Sequence, residues 1–218
     1  MKATSLGLAG FGLLNVAAAP FMLARVAWGM EGDRTFRYAI IMEKDKIGEE
    51  TYHISQQNGA TKVDVTTDSH VSMLFLSYTY HHTHSEIWRD GKLDSYVADT
   101  NDDGEIHHIQ AHRSGDAILA QLDAKPEARL SGDAAPFSIW HRDDMTRTSV
   151  FSIIDLDPMK VRAEDKGTEP VSVGGGTTPA ERFHMSGDEV RDLWYGSDGI
   201  LLKTAFKHIG YNIQFVKE

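Results

Sequence analysis

A chain of 218 residues, 41% hydrophobic and 25% charged, suits one globular domain that can bury its own core. It has no cysteine, which excludes disulfides, thiolate metal sites and cysteine nucleophiles. Its net charge of −10, with the basic residues scattered, argues against nucleic acid as a partner.

Residues 1–29 read as a secretory signal peptide. Lys2 precedes an apolar run from Leu6 to Ala24, and only Lys2 and Arg25 are charged before Glu31. Ala17 and Ala19 have the small-x-small spacing, but Pro20 would follow that cut. Ala27 and Gly29 have the same spacing, so cleavage after Gly29 is expected. The mature chain, residues 30–218, would be a single antiparallel β domain with a net charge of −12, periplasmic or secreted. The alternative is an uncleaved membrane anchor facing the same compartment. A span needs about 20 apolar residues, and Gly7, Gly10, Gly12, Asn15 and Pro20 weaken this one.

From Phe36 the dominant period is two. Phe36–Met42 predicts a strand, Glu43–Glu50 a polar connection containing a glycine, and Thr51–Ser55 the returning strand. Asn58-Gly59 predicts a type I′ turn. Thr61–Phe75 and Tyr78–Trp88 continue the alternation, with turns at Arg89–Gly91 and Asn101–Gly104. Residues 123–139, rich in Pro, Ala and Gly, predict a loop. Residues 143–155 predict a short helix capped by Asp143 or Asp144, with Met145, Val150, Phe151 and Ile154 facing inward. Strands resume at Met159, and Gly174–Gly176 marks a hairpin. Ile209, Tyr211, Ile213 and Phe215 share one face of the last segment. The fold class is therefore all-β: a curved antiparallel sheet or partial barrel with one short lid helix. Two segments echo each other, Glu86–Leu93 (EIWRDGKL) and Asp192–Lys203 (DLWYGSDGILLK), each placing a Trp before an Asp-Gly turn.

The densest chemistry lies at Tyr78–Leu93, YTYHHTHSEIWRDGKL. On an extended strand, Leu74, Leu76, Tyr78, Tyr80, His82, His84, Glu86 and Trp88 share one face, and its bulk points it inward. Two imidazoles and a carboxylate at His82, His84 and Glu86 offer a partial ligand set for Zn²⁺ or Fe²⁺, with His107, His108 or His112 as a further donor. The alternative, which leads, is a buried polar network that satisfies itself.

Asp99, Asn101, Asp103 and Gly104 imitate a calcium loop, but Gln110 stands where its glutamate belongs, so a hairpin turn is expected. Gly174–Thr178 lacks the Lys-Ser/Thr of a phosphate loop and reads as another hairpin. There is no Gly-x-Ser-x-Gly elbow and no HExxH. The aromatic residues Tyr78, Tyr80, Trp88, Trp140 and Trp194 could line a pocket for an apolar ligand, or could fill the core.

Four pieces carry a family resemblance: Tyr78 to Leu93, Thr100 to Gly104, Trp140-His141-Arg142, and Trp194 to Lys203. Together they resemble a bacterial family of exported proteins of unknown function, across nearly the whole mature chain. Asp155-Leu156-Asp157-Pro158 departs from it, standing where a glycine-containing turn belongs. The family is broadly similar to periplasmic lipoprotein-carrier-like folds, in which a curved sheet holds an acyl chain. That likeness implies a non-enzymatic carrier of a lipid-like or other apolar ligand. Two alternatives stand beside it: a metal-binding protein or metal-dependent enzyme using His82, His84 and Glu86, and a scaffold that binds an envelope protein through its strand edges. The sequence names no cofactor.

Overall fold

The period of two becomes strand after strand. The computed structural model describes residues 32–73 and 76–218. The expected signal peptide and the expected places of Leu74 and Phe75 lie outside the described residues. Eight strands come first: β1 (Arg34–Met42), β2 (Asp45–Gln57), β3 (Ala60–Met73), β4 (Leu76–Arg89), β5 (Lys92–Asp102), β6 (Glu105–Ser114), β7 (Ala117–Leu122) and β8 (Ala128–Ser131). A middle segment follows with β9 (Ala135–Pro136), a 3-10 turn (Arg142–Thr146), β10 (Val150–Phe151) and β11 (Pro158–Met159). Five more strands finish the chain: β12 (Val161–Val173), β13 (Gly176–Gly187), β14 (Arg191–Tyr195), β15 (Leu201–His208) and β16 (Tyr211–Lys217).

The long strands form one curved 13-stranded sheet, in the order β12 to β16 and then β1 to β8. Its pairings are antiparallel. Each neighbour is the next strand in sequence except at one seam, where β16 pairs with β1. The sheet does not close, since β12 and β8 remain its edges.

The tight turns follow their residues. Asn58-Gly59, Asp90-Gly91 and Asp103-Gly104 each hold two successive positive φ angles, as a type I′ turn requires. The expected hairpins at 101–104 and 174–176 are both present. The exception in chemistry is Ile209, a β-branched residue at φ 48° ahead of Gly210.

Three local expectations are corrected. The polar run Glu43–Glu50 is mostly strand, because only Glu43 and Lys44 turn. A register shift at Ile40/Ile41 absorbs the bend. Gly48 sits in the ladder where a Cβ would collide with the Asp68 backbone oxygen. Residues 123–139 hold β8 and β9 as well as loop. The helix expected over 143–155 is a single 3-10 turn, capped by His141 Nδ1 accepting from the Asp143 N–H at 3.2 Å. Thr146, Thr148 and Val150 are poor helix formers, and beyond the turn the backbone pairs with β9 and β11 instead.

That middle segment plugs the concavity. Ala134, Ala135, Ile139, Trp140 and Phe151 join the main core, with Phe137, Met145, Ile153 and Leu156 packed against it. Inner-face tyrosines hold it: Tyr195 donates to the Ile139 carbonyl (3.0 Å) and Tyr96 to that of Ile153 (3.3 Å). The Leu201 N–H donates to the Trp140 carbonyl at 2.9 Å.

The two echoing segments both form hairpins with a register shift beside the Trp, at Ile87/Trp88 and Trp194/Tyr195. Their tryptophans nevertheless face opposite ways. Trp88 is in the main core, whereas Trp194 lies apart with Val171, Ala180 and Leu202.

Candidate functional site

The alternation of β4 puts His82, His84, Glu86 and Trp88 on its inner face, all buried. They form a line. The Thr100 hydroxyl meets His82 Nδ1 at 2.8 Å, and His82 Nε2 meets His84 Nδ1 at 2.8 Å. His84 Nε2 lies 3.3 Å from Glu86 Oε1, and Trp88 Nε1 donates to Glu86 Oε2 at 2.7 Å. The plug closes over the far end, with the Arg147 guanidinium 4.4 Å from the Trp88 ring. Arg147 Nε also donates to Asp144 Oδ1 at 3.0 Å.

Burial governs the charges here. It depresses the His82 pKa to about 3, aided by His84 and His81, so that imidazole is neutral. It raises Asp144 to about 7 in spite of Arg147. It also raises Glu50, although Thr67 donates to that carboxylate at 2.8 Å.

The line is hydrogen-bonded except at His84 Nε2 and Glu86 Oε1, which are buried without a hydrogen-bond partner. The two facing imidazole nitrogens are spent on each other, and among the described residues no group of three or more His, Asp or Glu is arranged to hold a metal. The further donors stand elsewhere. His107 pairs with Asp123 and Glu105, His108 with Asp99, and His112 is exposed.

A second feature lies toward the end of the sheet that carries Glu43-Lys44, Asp103-Gly104 and Ile209-Gly210. Tyr38, Glu50, Thr67, His82 and Thr100 are in register across five strands and make a buried polar belt. Beyond the belt the inner wall turns apolar again. Ile40, Met42, Val71 and Ile213 form a cluster separate from the main core, flanked by half-buried Ile47, Tyr78, Phe206 and Phe215. The same end exposes Ile106 (64%), Val190 (59%), Ile209 (83%) and Tyr211 (38%). An open groove of about 400 Å³ lies on the opposite, outer face of β2–β4 near this end, lined largely by Glu49, Thr51, Thr66, Asp68, His70 and Thr79. We call this end the mouth.

The expected aromatic residues therefore divide. Tyr78 and Tyr80 stand at the mouth, half-buried, and Tyr78 donates a short hydrogen bond to Asp102 (2.5 Å). Trp88 and Trp140 fill the core. Trp194 lies on the other side of β14 from Leu193 and Tyr195, between Arg182 and Lys203, donating to Glu169 at 2.7 Å. Phe206 was missed by sequence reasoning. The shared face of Ile213 and Phe215 was legible, but not its meeting with Ile40 and Met42 across the seam.

No curated protein matches the chain. Among solved structures, the chain is similar to the crystal structure of a β-barrel-like protein of domain of unknown function DUF1849 from Brucella abortus. The TM-score is 0.63 at 9% identity, covering 84% of this chain and 94% of that one. So low an identity shows a shared fold and no more. Residues 38–218 match the family described as a domain of unknown function, DUF6134, and the chain belongs to that family.

Proposed function

We propose that the protein is an exported, non-enzymatic binding protein that holds the apolar part of a lipid-like ligand at the mouth of its sheet. The observation that carries this reading is the separate apolar cluster around Ile40, Met42 and Ile213 at an open end, flanked by the half-buried rings of Tyr78, Phe206 and Phe215. Such a wall gains about 25 cal/mol for each Å² of apolar ligand surface it removes from water. The exposed Ile106, Val190, Ile209 and Tyr211 at the same end support entry there. The plug sets the location, since Trp88, Trp140 and Phe151 already occupy the deeper concavity. Export rests on the charge and apolar pattern of residues 1–29.

The test is native mass spectrometry of the protein purified from its own compartment without detergent or chelator. A mass excess of a lipid's size, lost on organic extraction, supports the reading. Protein that carries no such excess and takes up no fluorescent fatty acid overturns it. An excess matching one transition-metal ion, lost in His84→Ala, would favour a metal role for His82, His84 and Glu86 instead. The same spectra read the N-terminus, for which a chain beginning at Met30 is expected.

A further inference from the structure

We propose that Arg191 receives the head group of the ligand, so that the mouth selects a single-chain amphiphile ending in a carboxylate. This rests on the reading above, in which the mouth holds an apolar chain.

Arg191 opens β14 and is in register with Phe206 on β15 and Met185 on β13. Its guanidinium lies 4.6 Å from the Phe206 ring and 5.0 Å from the Phe137 ring. Phe137 belongs to the plug side and Phe206 to the mouth cluster, so the cation stands where the main core ends and the apolar wall begins.

The arginine is incompletely satisfied. Nη2 donates to Glu189 at 2.6 Å, and Glu189 is itself partly exposed. Nε is buried and has no acceptor among the described residues. Nε and Nη2 form the edge of a guanidinium that a carboxylate grips with two parallel bonds. Glu189 takes half of that edge and leaves the other half unpaired, to be reached by an incoming oxygen once the Phe206 ring moves.

No nearby acid competes well for the open half. Glu50 faces Arg191 across the concavity, but burial favours its neutral form, and it already accepts from Thr67. A carboxylate at Arg191 would send its chain along Phe206, Phe215, Ile213 and Met42 toward the rim. Phe206 is the half-buried ring that must shift to admit it.

The experiment compares three ligands with the same tail: dodecanoate, dodecanol and dodecyltrimethylammonium. Each is titrated calorimetrically against the mature chain and against Arg191→Gln and Arg191→Lys. The wild type is expected to bind dodecanoate at least about tenfold tighter than dodecanol, and the ammonium most weakly. Arg191→Gln should bring acid and alcohol to equal affinity, with Arg191→Lys between. Equal binding of acid and alcohol by the wild type overturns the inference and leaves the ligand reading intact. So does a preference that survives in folded Arg191→Gln. Failure of all three tails to bind the wild type overturns both.

Discussion

His82 Nε2 and His84 Nδ1 face each other at 2.8 Å inside the sheet, so one ring donates the proton that the other accepts. Trp88 Nε1 can only donate, which makes Glu86 the acceptor at the end of the line. One direction then satisfies every link but one, since His84 Nε2 and Glu86 Oε1 are buried 3.3 Å apart with no hydrogen bond between them. Thr100 donates to His82, His82 to His84, and the proton on His84 Nε2 points toward Glu86. The line is an internal network along the inner face of β4, open at the His84–Glu86 contact.

Glu86 should therefore matter to stability. Glu86→Leu removes the acceptor of the Trp88 Nε1 bond, at about 1–3 kcal/mol. Glu86→Gln still accepts from Trp88 and should lose less. Urea unfolding followed by tryptophan fluorescence checks this. A leucine variant as stable as wild type would show that the network contributes nothing.

The acid dependence of stability should carry two opposing slopes. The His82 pKa falls from 6.5 to about 3 on folding, so the unfolded chain binds the extra proton in that window. Its contribution is present above 6.5 and is lost as pH falls toward 3. The Asp144 pKa rises from 3.8 to about 7, so here the native state binds the extra proton. Its contribution is present below 3.8 and is lost as pH rises through 7. Between about 4 and 6.5 the two offset each other. Asp144→Asn should make stability fall more steeply on acidification, and His82→Gln should make it fall as pH rises toward 7. Unfolding midpoints across that range decide it; unchanged slopes in both variants would refute the assignment.

Trp140 and Trp194 should behave differently. Trp140 is fully buried in the plug, and truncation to Ala should cost roughly 3–5 kcal/mol. Trp194 is half-buried on the other side of β14, so Trp194→Ala should cost clearly less. Equal losses in chemical denaturation would mean that the plug does not hold the core.

Ile209 combines a left-handed backbone with 83% exposure. Ile209→Asn should stabilise the hairpin by about 1 kcal/mol, because asparagine tolerates that conformation. If the isoleucine is kept for the ligand, the same variant should take up fluorescent fatty acid more slowly. A more stable variant with unchanged uptake would remove Ile209 from the entry route.

Much of this architecture could be read locally. Asn58-Gly59 and Asp90-Gly91 announce their turns because few other pairs accept two left-handed residues. The inward placement of His82, His84, Glu86 and Trp88 follows from alternation alone. Glu50 was not legible, since a buried carboxylate in a polar run looks like a loop until its partner Thr67 is known. The echo between the two segments hid the opposite facing of Trp194, because Leu193 and Tyr195 take the inner face of β14. The mouth was hidden for a topological reason: Ile40 meets Phe215 only through a pairing between the two ends of the described chain.

That seam also has a consequence in time. Every other junction of the sheet can zip as soon as its hairpin leaves the ribosome or an export channel. β1 must wait for β16, with Tyr38 and Ile40 beside an unpaired edge until Tyr211–Lys217 arrives. A chain lacking β16 would keep its other hairpins and lose its unity, leaving two part-sheets that each seek another strand. Loss of β16 should therefore yield aggregation rather than a slightly weaker monomer.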